Sequence, residues 1–70
     1  DLIWQDDEKL NLIEIKASQT IMPEMFKGLT YFANLAQDLV KSKTLIHSGY
    51  FEQNRTAGKV LGWNKITEIN

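Results

Sequence analysis

Seventy residues with a net charge of -1, of which 43% are hydrophobic and 24% charged, describe one small globular domain spanning residues 1–70 and exclude a disordered tail or a polybasic nucleic-acid arm. Burial leaves so short a chain a thin stability margin, and the absence of cysteine removes disulfides and thiolate zinc sites as ways of widening it. No segment reaches the roughly 20 apolar residues of a membrane span, and no charged leader precedes an apolar stretch, so a soluble cytoplasmic protein without membrane contact is expected.

The first stretch reads as a β-hairpin. Leu2-Ile3-Trp4-Gln5 and Leu10-Asn11-Leu12-Ile13-Glu14-Ile15-Lys16 are rich in strand formers, and the polar run Asp6-Asp7-Glu8-Lys9 between them is a natural turn. A turn symmetric about Asp7 and Glu8, of two residues or four, pairs residues whose numbers sum to fifteen. Asp1 then stands opposite Glu14. Alternation places Ile3, Leu12, Glu14 and Lys16 on the face of Asp1, and Leu2, Trp4, Ile13 and Ile15 on the other. Opposed carboxylates destabilise a sheet unless a cation compensates them. Lys16 supplies one positive charge, and a divalent metal would supply the rest.

After Lys16 the alternation stops at Ala17-Ser18-Gln19-Thr20, and Pro23 marks a helix start near Pro23 or Glu24. Met22, Phe26, Leu29, Ala33, Ala36 and Val40, widened by Met25, Phe32 and Leu39, recur at helical spacing, which predicts a helix of about 17 residues lying on the sheet. Lys41 and Lys43 suit its C-terminal end. Thr44 to Ser48 is a further strand closed by Gly49, Tyr50 to Gly58 a polar surface loop, Lys59 to Trp63 a last strand, and Asn64 to Asn70 a terminal turn or frayed helix. The order is ββαββ, an α/β mixed sheet with one helix packed on it. The strand near Leu45 is expected to run parallel to the one bearing Glu14 and Lys16, joined by a right-handed crossover.

The chemistry concentrates at Glu14-x-Lys16. Magnesium or manganese takes hard oxygen donors and is completed by substrate phosphates, and Asp1, Glu14 and the Ile15 carbonyl offer such a half-shell. A metal there would activate a water and polarise a phosphodiester, with Lys16 orienting the water or stabilising the developing charge. Gln19 is placed to reach the same site through its amide. The bland counterpart is a surface ion pair worth about 0 to 1 kcal/mol. His47, the one histidine, has no second histidine or cysteine with which to form a metal set, so a structural role is expected of it. Arg55 reads as a solvated loop residue, and Trp4, Trp63, Phe26 and Phe32 as core.

Asp1-Leu2-Ile3, then Leu12-Ile13-Glu14-Ile15-Lys16-Ala17-Ser18-Gln19-Thr20, then Phe26-Lys27-Gly28-Leu29-x-Tyr31-Phe32 and a closing Val60-x-x-Trp63, resemble the C-terminal domain of unknown function that follows the ATPase module in many bacterial and archaeal AAA-type ATPases. The resemblance covers nearly the whole chain and implies a fragment of the PD-(D/E)XK, restriction-endonuclease-like fold. It matches Asp1 to the motif aspartate, and Glu14 and Lys16 to the acid-x-lysine. The activity implied is metal-dependent phosphodiester cleavage, with nucleic acid, DNA in the first place, as partner. The helix and first strand that precede the motif aspartate in that superfamily are absent here, and superfamily enzymes often draw a further acid from that helix.

Two functions from different classes are therefore expected: a magnesium- or manganese-dependent nuclease or nucleic-acid-binding domain, and a non-catalytic module that docks on or regulates the ATPase and keeps the acidic pair as a relic. A chain that opens inside a strand reads as a piece of a longer parent. Its uncovered edge is expected to pair in a two-fold homodimer through Trp4, Leu35 or the Leu45 strand.

Overall fold

A computed structural model describes residues 2–68 of the chain. β1 (Leu2–Asp6) and β2 (Lys9–Lys16) pair antiparallel from Leu2↔Ile13 to Asp6↔Lys9, so every pair obeys the fifteen sum and the turn is the two-residue Asp7-Glu8. Asp7 takes a left-handed φ of 59°, a conformation that aspartate tolerates better than most residues because its short side chain bonds locally. The turn is tied down from outside as well. Lys41 Nζ lies 2.7 Å from Asp6 Oδ2, and Lys9 Nζ donates to the Asp38 carbonyl at 2.6 Å. The hydrogen bond and charge of Asp6 raise the Lys41 pKa above its ordinary value. Lys41 is thus a strand residue serving the hairpin, where sequence spacing assigned it to a helix end.

The helical stretch is shorter than its apolar periodicity predicts. A 3-10 turn over Pro23–Phe26 leads into α1 (Lys27–Ala36), and a second over Gln37–Leu39 follows it. Gln37 ends the helix with φ 44° and ψ −109°, a conformation that costs a side-chain-bearing residue free energy. No glycine or proline announces this break. Val40 therefore opens β3 (Val40–His47) well before Thr44, where the strand was expected to begin.

β3 runs parallel to β2, as the crossover requires, and β5 (Gly58–Gly62) runs parallel to β3 on its other side. The polar stretch read as a loop contributes a further short strand, β4 (Gln53–Arg55), which pairs antiparallel with β5. Backbone pairing makes this strand without any apolar alternation to signal it. The result is a mixed five-stranded sheet in the order β1-β2-β3-β5-β4 with one helix packed on it. A pair of 3-10 turns, kinked at Lys65, closes the described chain over Trp63–Glu68. No helix among the described residues is long and apolar enough to cross a membrane.

The two sheet faces are covered unequally. On the helix side Leu12, Leu45 and Val60 meet Ile21, Phe26 and Leu29, with Leu10, Met25, Ala33, Val40 and Ala57 at the margin. Each such buried side chain contributes about 1.5 to 3 kcal/mol relative to exposure. The opposite face holds a smaller cluster of Ile13, Ile46 and Leu61. α1 lies over β2 and β3, which leaves Ile3 of β1 exposed on the helix side, while Leu2 and Trp4 are exposed on the other face. Of the four aromatics assigned to the core only Phe26 is buried, while Trp4 on the face opposite the helix, Phe32 on α1 and Trp63 past the end of β5 reach solvent. Leu45, proposed as a contact at an open edge, is fully buried in the central strand and has no edge to offer.

Candidate functional site

Alternation along β2 sends Leu12, Glu14 and Lys16 to the helix face, and the parallel ladder aligns neighbours at each level. Glu14 stands beside Leu45, which stands beside Val60; Lys16 stands beside His47, which stands beside Gly62. Apolar packing below therefore gives way to polar groups at the C-terminal end of three parallel strands. Glu14 is the transitional residue. It is only 7% exposed and, among the described residues, pairs with the half-exposed Lys16, with Nζ 3.6 Å from Oε2. That distance is ionic contact and not a hydrogen bond. The strand's alternation turns this carboxylate toward the packed face, between Leu12 and Lys16.

Ile15 follows β1's last described pair, Leu2↔Ile13, so β2 runs on past the described part of β1 at Glu14 and Ile15. Asp1, the second acid of the sequence-based site, lies outside the described residues, and the carboxylate pairing with Glu14 lies outside them with it. Among the described residues no group of three histidine, cysteine, aspartate or glutamate side chains gathers at one place. The donors present, the Glu14 carboxylate and the Ile15 carbonyl, are hard oxygens that fit magnesium or manganese as part of a shell. Gln19 is exposed in the loop after β2. Its carbonyl lies beside Gly49, and no hydrogen bond joins its amide to Glu14 or Lys16.

His47 is buried at the level of Lys16 and is fully used by its surroundings. The Gly49 N–H donates to Nδ1 at 3.0 Å, which places the ring proton on Nε2, and Nε2 donates to the Phe51 carbonyl at 3.0 Å. Neither nitrogen keeps a lone pair for a metal. The histidine instead folds the segment after β3 back over the strand ends, with the Phe51 ring 4.4 Å from its own. Glycine is required at position 49, because a Cβ there would stand 2.8 Å from His47 Cε1. It is required again at Gly62, where a Cβ would meet the Gly49 carbonyl at 2.7 Å and Tyr50 Cα at 3.1 Å.

Two features escaped the sequence reading. Arg55 is not a free loop residue: it leans over the Phe26 ring at 5.8 Å and donates from Nε to Gln53 Oε1 at 2.9 Å. Tyr50, Phe51 and Trp63, assigned to a loop and the core, stand exposed at the same end of the sheet as Lys16. The signal available for them was Ser48-Gly49-Tyr50-Phe51, a strand ending followed at once by two aromatics.

No curated protein and no solved structure matches the chain. A family model does, over residues 1–66, so that the whole sheet, the helix and the Glu14–Lys16 pair fall within the match. The chain accordingly belongs to the family described as Domain of unknown function (DUF4143).

Proposed function

We propose that the C-terminal end of the parallel strands is a phosphodiester-cleaving site built on Glu14 and Lys16. The observation that carries this reading is a buried carboxylate held 3.6 Å from a half-exposed ammonium at the C-terminal end of three parallel strands. Open α/β sheets bind their ligands at the carboxyl ends of the strands, where this pair lies. In the reaction a water oxygen adds to phosphorus, the bond to the leaving oxygen breaks, and the water's proton passes to that oxygen. Lys16 stands where negative charge develops on the phosphoryl oxygens and stabilises it. Glu14, with Asp1 and the Ile15 carbonyl, would hold a magnesium or manganese ion, which when bound supplies charge neutralisation and lowers the pKa of a coordinated water. Gln19 would position substrate from the adjoining loop.

The resemblance to PD-(D/E)XK domains of AAA-type ATPases supports the same chemistry, with nucleic acid, DNA first, as substrate. It also extends the proposal to a parent chain whose upstream part hydrolyses nucleotide. Calorimetric titration with manganese, set beside hydrolysis of bis(p-nitrophenyl) phosphate, tests the site. Binding and turnover that vanish in Glu14→Ala are expected. Equal metal binding by Glu14→Ala and the parent sequence would remove the reading.

A second reading has its own observation. Leu2, Ile3 and Trp4 leave both faces of the edge strand β1 apolar and exposed, which favours an interaction module, including self-association through β1. Leu35 is a further exposed contributor on α1. Sedimentation of the chain as a monomer at micromolar concentration would dismiss the self-association.

A further inference from the structure

Resting on the phosphodiester reading above, we infer that Tyr50, Phe51 and Trp63 form a stacking platform for unpaired bases, which makes single-stranded nucleic acid the substrate class of the Glu14–Lys16 site. Tyr50 is 80% exposed, Trp63 62% and Phe51 41%, a concentration of aromatic surface that folding alone does not require. The three are held in place by backbone. The Phe51 carbonyl is fixed by His47 Nε2, and Tyr50 is seated against Gly62, the residue before Trp63, through the close approach that the two glycines permit. His47 stands between Lys16 and Gly62 in the ladder, so the lysine and the start of the aromatic segment are two strand spacings apart, about 10 Å. A nucleotide whose phosphate meets Lys16 therefore has aromatic rings within reach of its neighbours' bases.

Single strands satisfy this arrangement and duplexes do not. In a duplex the base faces are stacked on one another and only their edges are presented, so exposed rings gain nothing by meeting it. In an unpaired strand every base offers a face, and stacking needs no sequence match. The overall charge of -1 points the same way. A duplex binder relies on many lysine and arginine contacts to phosphate, whereas a platform of exposed aromatic rings beside Lys16 binds mainly by stacking.

Labelled oligothymidine and the corresponding duplex, titrated against the chain by anisotropy without divalent metal, test the inference. Oligothymidine is expected to bind more tightly than duplex, with little loss between about 50 and 200 mM salt. Tyr50→Ala should weaken it roughly 5- to 150-fold, the range of one lost base stack, while Tyr50→Trp restores binding and Tyr31→Ala on α1 leaves it unchanged. Quenching of tryptophan fluorescence by the oligonucleotide should survive Trp4→Phe and disappear in Trp63→Phe. Equal affinity for duplex, absence of binding, or full affinity in Tyr50→Ala would overturn the platform, and an apolar protein partner would then be the occupant to seek. Bis(p-nitrophenyl) phosphate has no base to stack. Its hydrolysis without any preference for single strands leaves the cleavage reading standing and sinks this one; binding through Tyr50 and Trp63 without diester hydrolysis upholds the platform and sinks the other.

Discussion

Glu14→Leu separates a functional acid from a structural one, because the two predict opposite signs. The wild-type carboxylate is buried beside Leu12 and Leu45 and lies in ionic contact, at 3.6 Å, with a lysine whose side chain is 42% exposed. With one partner so solvated, screening limits that contact to about 0 to 1 kcal/mol. Replacing the carboxylate by leucine removes the desolvation cost and adds a buried side chain worth about 1.5 to 3 kcal/mol, so the variant should gain about 1 to 3 kcal/mol. For a domain of this size each kcal/mol corresponds to about 4 to 8 °C in Tm. Thermal and urea unfolding followed by circular dichroism would read the gain. A variant that unfolds earlier than wild type would refute the reasoning, since Glu14 would then be stabilising the fold through Lys16.

Gln37→Gly should stabilise the chain by about 0.5 to 2 kcal/mol, the strain at φ 44° relieved less the conformational entropy of glycine, and Gln37→Ala should not; urea midpoints distinguish them. Leu45→Ala, at a fully buried position in the central strand, should cost about 2 to 5 kcal/mol in the same assay. Lys41 has its pKa raised by Asp6, so the stability it contributes is fully present below its ordinary value of 10.5 and is lost as pH rises through the higher folded value. Lys41→Met should accordingly flatten the alkaline fall of Tm, and added salt should narrow the difference because the pair is exposed. Gly49→Ala should destabilise the fold by driving a methyl into the His47 ring, with the His47 imidazole proton resonances reporting the broken Gly49 and Phe51 bonds.

What the residues disclosed in advance depended on whether a local rule governed them. The hairpin register followed from turn symmetry and a period of two, and the pairs from Leu2↔Ile13 to Asp6↔Lys9 repeat that arithmetic. The parallel β2–β3 ladder followed from strand, helix and strand in succession, and it placed Glu14 and Lys16 together at the end of three parallel strands. Elements made by backbone alone stayed hidden. β4 is Gln-Asn-Arg, which no propensity marks as a strand, and the helix stops at a glutamine in a conformation usually left to glycine. Trp4 and Trp63 misled for a different reason: large aromatics fill a core only where a second layer covers them, whereas Trp4 alternates to the face opposite the helix and Trp63 lies past the end of β5.

The placement of the site follows from the same geometry that limits the core. Where parallel strands end, the helix-side packing has run out and the next residues must turn back, so polar and aromatic groups collect there without competing for the interior; open α/β sheets bind ligands at this end for that reason. Here the level of Leu45 and Val60 is wholly buried, and one alternation further on stand Lys16, His47 and Gly62. His47 uses both nitrogens on backbone groups, and with the two glycines it holds Tyr50 and Phe51 at the strand ends where the Glu14–Lys16 pair lies. A small domain with little stability to spare keeps a buried carboxylate between Leu12 and Lys16 and beside Leu45, and the proposed role of Glu14 rests on that placement.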